Sequence, residues 1–220
     1  MGRRGGLTAV DGPAIALLVA AAVAAVVDWV AVARDDRRTE YVAKPLTMVL
    51  LLGAALAIDP VDGTARTWFV VALVLSLAGD VFLMLPGDRF VPGLASFLLA
   101  HVAYIVGLLA MGISGAGFLA GVVIVGVLLP LLAPRILGAI GDSDDPSLSY
   151  PVAAYMGVIS LMVVAAGASG SPLALAGAVS FYVSDALIAW TRFVADVRHG
   201  RVLVMVTYHA AQLALVSSLA

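Results

Sequence analysis

Eight apolar runs follow one another along this 220-residue chain, separated by short breaks rich in Gly, Pro, Asp and Arg. Each run is near the ~20 residues that a helix needs to cross a bilayer core. Lipid offers no partner to a free backbone N–H or C=O, so a spanning segment must be a helix or a strand of a closed barrel. The runs lack the period-two alternation of barrel strands. The chain therefore reads as all-α: a single domain, residues 1–220, of eight transmembrane helices. They are predicted at about 12–33, 41–58, 67–85, 92–111, 116–133, 149–168, 172–194 and 202–219.

Composition narrows the function classes. Hydrophobic residues make up 63% of the chain and charged residues 12%, against about a quarter charged in an ordinary soluble domain. A water-soluble globule this apolar could not cover its surface with polar groups. A soluble enzyme is excluded, and a net charge of −2 gives no field to attract nucleic acid. The absence of cysteine removes disulfides, thiolate nucleophiles and cysteine metal sites. Met1-Gly2-Arg3-Arg4 precedes a run with no convincing cleavage site, so that run reads as the first helix rather than a signal peptide. The longest break, 134–148, carries Asp142, Asp144 and Asp145 and is expected to be a solvated loop.

An even number of crossings places both termini on one face. That face carries Arg3, Arg4 and Arg66, and the other carries Arg34, Arg37, Arg38, Lys44, Arg89, Arg135, Arg192, Arg198 and Arg201. Basic residues mark the cytoplasmic side, so the termini are expected outside the cell (inner) membrane. Trp29, Trp68 and Trp190 fall near predicted span ends, where interfacial aromatics belong.

Ionisable groups inside spans are costly and mark function by default. Here they are Asp28, Lys44, Asp80, His101, Asp185 and His209, all in the cytoplasmic half or at the midplane. The outer halves hold none, which predicts a polar cavity open to the cytoplasm and sealed by an apolar plug. Uncharged polar residues join this layer at helical spacing: Ser76 before Asp80, Tyr104 after His101, Tyr182 and Ser184 beside Asp185, and Tyr208 and Gln212 four apart. Helices 3 and 4 carry Asp then His-Tyr, and helices 7 and 8 carry Asp then Tyr-His-Gln, an echo that suggests two parallel four-helix halves.

Each residue also has a plainer reading. Lys44-Pro45 at the opening of helix 2 fits a first-turn proline with a snorkelling lysine, or a cation for a lipid phosphate. Asp28 reads as a solvated or Arg-paired end residue. The other acids and histidines could simply bridge helices. A metal site from Asp80, Asp185, His101 and His209 is chemically possible, but no tight histidine spacing supports one, so none is assigned. A small proton-coupled transporter and a non-catalytic lipid-binding protein are the rival classes. Alternating access needs a route on both faces, and the apolar outer halves weigh against it.

Five motifs occur in order: Lys44-Pro45-Leu-Thr-Met, Ser76-Leu-Ala-Gly79-Asp80, His101-Val-Ala-Tyr104, Ser184-Asp185 and Tyr208-His-Ala-Ala-Gln212. Together they resemble the YhhN family of eight-helix membrane proteins, which includes the lysoplasmalogenases. The resemblance implies hydrolysis of the vinyl ether bond of a lysophospholipid, lysoplasmalogen, to a fatty aldehyde and a glycerophospho-headgroup, with no cofactor. A vinyl ether resists base and yields to acid, through protonation of carbon and an oxocarbenium ion. The chemistry calls for one carboxyl that keeps its proton and a second that stays anionic. Asp80 and Asp185 are the expected catalytic pair, with His101 as proton shuttle or water-orienting group. Lys44, Ser76, Tyr104, Ser184, Tyr208 and Gln212 are expected at the substrate, with Lys44 on the phosphate and the chain in the outer apolar plug.

Overall fold

The computed structural model describes residues 12–220, so Arg3 and Arg4 lie outside the described residues. Eight helices run in alternating directions: α1 (Gly12–Ala33), α2 (Arg37–Ala57), α3 (Gly63–Met84), α4 (Phe90–Ala110), α5 (Gly115–Gly141), α6 (Ser149–Ala168), α7 (Pro172–Phe193) and α8 (Gly200–Ser217). Local chemistry fixes several starts. The Asp36 carboxylate accepts the Thr39 N–H ahead of α2, Asp62 accepts from Thr64 and Ala65 ahead of α3, and Ser171 caps α7 before Pro172. Seven of the described helices are long and apolar enough to cross a membrane. The chain is an integral membrane protein. Helix α8 falls short of that measure, with 18 residues that include Tyr208, His209 and Gln212.

Seven helices close a ring in the order α1, α2, α3, α4, α6, α7, α8 and back to α1, while α5 lies outside it against α6. Glycines bring α5 and α6 into backbone contact: a Cβ on Gly117 would sit 2.1 Å from the Gly167 carbonyl oxygen. Small residues are how membrane helices approach without a hydrophobic drive between them. The half of the ring nearer the chain end is filled by Leu51, Phe69, Leu108, Met162, Ala174 and Leu215, all fully buried. That half is packed with apolar side chains.

Two expectations need correction. The Asp36 cap starts α2 at Arg37, so Lys44 does not open the helix and Pro45 lies inside it. The expected loop at 134–148 is helical as far as Gly141; only residues 142–148 leave α5, with a single 3-10 turn at Pro146–Leu148. Pro134 lacks the N–H for one helical bond, yet Ile136 and Ile140, four apart, are fully buried against Phe90, Val152 and Met156. Tertiary burial outweighs the missing bond.

Candidate active site

The basic face opens as a vestibule of about 870 Å³ between the ends of α1, α2, α3, α4, α7 and α8. Arg37, Arg89, Arg192 and Arg201 line it, and Lys44 reaches it from below. Arg201 bonds both oxygens of Glu40 and also Asp35, tying α8 to the α1–α2 turn. At the rim the Arg192 guanidinium bonds Asp88 at 2.6 Å and holds that exposed carboxyl below the usual carboxylate range.

Beneath the vestibule the acids sit in two groups. In the first, Lys44 Nζ lies 3.1 Å from Asp80 Oδ1, and the Tyr208 hydroxyl donates to Asp80 Oδ2 at 2.7 Å. Both charged side chains are almost fully buried. Lys44 is thus buried against Asp80 rather than snorkelling, while still reaching the vestibule floor. Gly79 shapes this spot, because a Cβ there would meet the Phe97 ring at 2.6 Å. In the second group, the Tyr155 hydroxyl donates to Asp185 Oδ2, and His101 Nε2 lies 3.7 Å from the same oxygen. Among the described residues, no Lys or Arg pairs with Asp185. The Phe181 ring bridges the groups, edge-on to Tyr208 at 5.4 Å and to His101 at 4.6 Å.

Asp185 is the sole charged residue lining a second, apolar cavity of about 50 Å³, with Leu94, Phe97, Ile136, Tyr155 and Met156 among its walls. The two cavities share Leu83, Phe90 and Ile188. A polar space carrying cations and an apolar space carrying an acid therefore abut across three side chains.

The remaining expected residues divide. The Tyr104 hydroxyl donates to Gln212 Oε1, one turn deeper than Tyr208. Ser76 is buried with its hydroxyl unpartnered among the described residues. Ser184 is spent on helix packing, its hydroxyl donating to the Val204 carbonyl. His209 points elsewhere: its Nδ1 accepts from Trp29 Nε1 at 3.0 Å and lies 4.0 Å from Asp28. Asp28 is fully buried with neither oxygen hydrogen-bonded among the described residues, so it is not a solvated end residue. Trp29 turns toward α8 rather than serving only as an interfacial ring.

Sequence reasoning missed Tyr155, which sits in an apolar run with no ionisable neighbour to draw attention to it. The available signal was its hydroxyl inside the predicted span 149–168, which also holds Tyr150 at its start. No cluster of three or more His, Cys, Asp or Glu side chains able to hold a metal occurs among the described residues.

The family model described as YhhN family matches residues 39–219. The human protein named Lysoplasmalogenase TMEM86B is 33% identical over 189 residues, covering 84% of this chain and 77% of that protein. The Mycobacterium bovis protein named Lysoplasmalogenase is 34% identical over 171 residues, covering 76% of this chain and 65% of the relative, just under two thirds of its length. The bovine protein named Lysoplasmalogenase TMEM86A is 32% identical over 168 residues, 70% of this chain and 65% of the relative. No solved structure matches the chain.

Proposed function

The chain belongs to the YhhN family, and on that premise we propose that it is a membrane-embedded hydrolase of the vinyl ether bond in lysoplasmalogen or a related lysolipid. The observation that carries the reading is the unequal company of two buried aspartates: Asp80 has a lysine at 3.1 Å, and Asp185 has a tyrosine, a histidine and an apolar cavity. A buried carboxylate persists as an anion when a cation neutralises it, and a carboxyl in apolar surroundings favours the neutral acid. Paired carboxylates in opposite protonation states are what an oxocarbenium reaction uses.

Asp185 is the general acid. Tyr155 occupies Oδ2, which leaves Oδ1 to carry the proton. The proton adds to the outer vinyl carbon, the π electrons form the new C–H bond, and the ether carbon becomes an oxocarbenium ion. Asp80 balances that charge and accepts a proton from the water that adds to the cationic carbon. The hemiacetal then breaks its C–O bond to glycerol. Its hydroxyl proton returns to Asp185, and the Asp80 proton passes to the glycerol oxygen. Aldehyde and glycerophospho-headgroup leave with both aspartates in their starting states. His101 stands beside Asp185 to orient water or relay the proton.

The headgroup lies in the vestibule, where Arg89 has no ion-pair partner among the described residues and suits a phosphate. Lys44 acts from the floor through Asp80. We read α8 as an eighth crossing whose polar face serves the site, and the matched Asp positions on α3 and α7 as two parallel halves. The vestibule faces the cytoplasm, on the basic-residue bias. The test is direct: purified protein in detergent, given lysoplasmalogen, releases fatty aldehyde. Absence of aldehyde, with the lysolipid recovered intact, overturns the proposal.

A further inference from the structure

We propose that the apolar cavity beside Asp185 is the inner end of a subsite for the single hydrocarbon chain of an ether lysolipid. The part of α5 beyond Pro130 is its lateral gate, swinging aside to admit the chain from the surrounding lipid. The inference rests on the hydrolase reading for the identity of the ligand, but its geometry stands apart from it.

An apolar groove of about 470 Å³ between α1 and α2 has room for hydrocarbon, but its lining carries no ionisable side chain and so no acid to meet the ether. The far half of the ring, where an apolar plug was expected to receive it, is packed shut by Leu51, Phe69, Leu108, Met162 and Leu215. The vestibule is lined by five cationic side chains and by Asp35, Glu40, Asp88 and Asp196, surroundings hostile to hydrocarbon. The cavity at Asp185 has the right lining, with Leu94, Phe97, Ile136, Met156, Ile159 and Ile188. It is also placed so that a chain within it presents its first carbons to the carboxyl.

Volume then decides that something must move. The cavity holds about 50 Å³, whereas an apolar cavity of about 150 Å³ takes one benzene ring. Scaled from that, the closed space fits about two carbons. A fatty chain cannot be bound unless a wall opens.

The wall best built to open is α5. Its first half is fixed to α6 through Gly117, Gly121 and Gly167, with Val123, Val127 and Leu131 turned out to lipid. Pro130 and Pro134 then delete two successive helical hydrogen bonds, those to the carbonyls of Gly126 and Pro130. Kinks and hinges in helices arise at such positions. Beyond them, Ile136 and Ile140 are buried, and Ile136 forms part of the cavity wall. At 27 residues α5 is about 40 Å long, against a hydrocarbon core of ~30 Å. Its terminal segment therefore lies at the headgroup level, where a lysolipid chain leaves its leaflet.

Two measurements test this on the intact protein. A long-chain ether lysolipid carrying a diazirine at mid-chain is photolysed in its complex, and the labelled peptides are identified by mass spectrometry. Labels should fall on 131–141, on 152–159 and on 186–189. Labelling confined to the far half of the ring overturns the subsite. Secondly, Pro130→Ala with Pro134→Ala restores both helical hydrogen bonds and stiffens the gate without cutting into the cavity. Relative to an ethenyl ether, whose two carbons fit the closed space, kcat/KM for the long-chain substrate should fall about tenfold or more. An unchanged ratio overturns the gate. Labelling at these residues without aldehyde release would sink the hydrolase reading and leave the subsite standing; aldehyde release with labels elsewhere would do the reverse.

Discussion

Replacing Lys44 with methionine separates two accounts of that residue. If its role were a phosphate contact, the loss would be close to uniform binding, raising KM and leaving kcat alone. The structure places Nζ 3.1 Å from Asp80, with the two side chains 6% and 2% exposed. At that burial solvent screening does not rescue the orphaned partner. Removing one member of a buried pair costs about 3–5 kcal/mol, and the surviving Tyr208 hydroxyl on Asp80 argues for the lower end, about 3 kcal/mol. For a chain of this size each kcal/mol moves the unfolding midpoint by about 2–4 °C, so the variant should lose about 6–12 °C. Because the anion at Asp80 loses its counterion, kcat should also fall, by about 10²-fold. Lys44→Met combined with Asp80→Asn removes both charges and should recover stability to within about 1 kcal/mol of the parent. The assay is thermal unfolding in detergent across the four members of the cycle, with aldehyde release for the rates. A midpoint loss below about 2 °C for the single variant, or a raised KM with unchanged kcat, would refute the pairing argument.

Further expectations follow from single contacts. Tyr155→Phe removes one hydrogen bond to Asp185 and should lower kcat about fivefold, with KM little changed, as a lost bond of about 1 kcal/mol would do. Gly79→Ala drives a methyl into the Phe97 ring at 2.6 Å and should cost about 1–3 kcal/mol by overpacking, measured by the unfolding midpoint. Asp28→Leu should raise the midpoint, since a buried carboxyl with no hydrogen bond among the described residues carries an uncompensated desolvation cost; a fall would show that Asp28 is satisfied by bound water. Asp88 is held below the usual carboxylate range by Arg192, so its pair contributes above the unfolded carboxylate pKa and is lost as pH falls through the lowered value. Both partners are accessible to solvent, so that contribution is small, and Asp88→Asn should lower the midpoint at neutral pH only slightly.

How far the sequence could be read follows the range of the interactions involved. Helix order and most boundaries come from local hydropathy and caps, and α1, α6 and α7 start where the apolar runs start. Local reasoning failed at α5, where Pro134 argues for a stop. The Ile136–Ile140 spacing that argues for continuation gains its weight only from Phe90, Val152 and Met156 on other helices. The one-sided placement of polar residues was legible because a membrane penalises each ionisable group individually. Their partners were not. That Lys44 meets Asp80, that Tyr155 meets Asp185 and that His209 turns to Trp29 depend on how the ring closes. Residues on different helices leave no periodic trace in a single sequence.

The central claim is that an acid within the membrane protonates the vinyl carbon. It is tested most directly by running the reaction in deuterated water and trapping the aldehyde at once by reduction. Protonation by an exchangeable carboxyl such as Asp185 puts one deuterium on the carbon next to the aldehyde, and this labelled product should disappear with Asp185→Asn. Aldehyde released without deuterium at that carbon, or labelled aldehyde still formed at the parental rate by Asp185→Asn, would contradict the account.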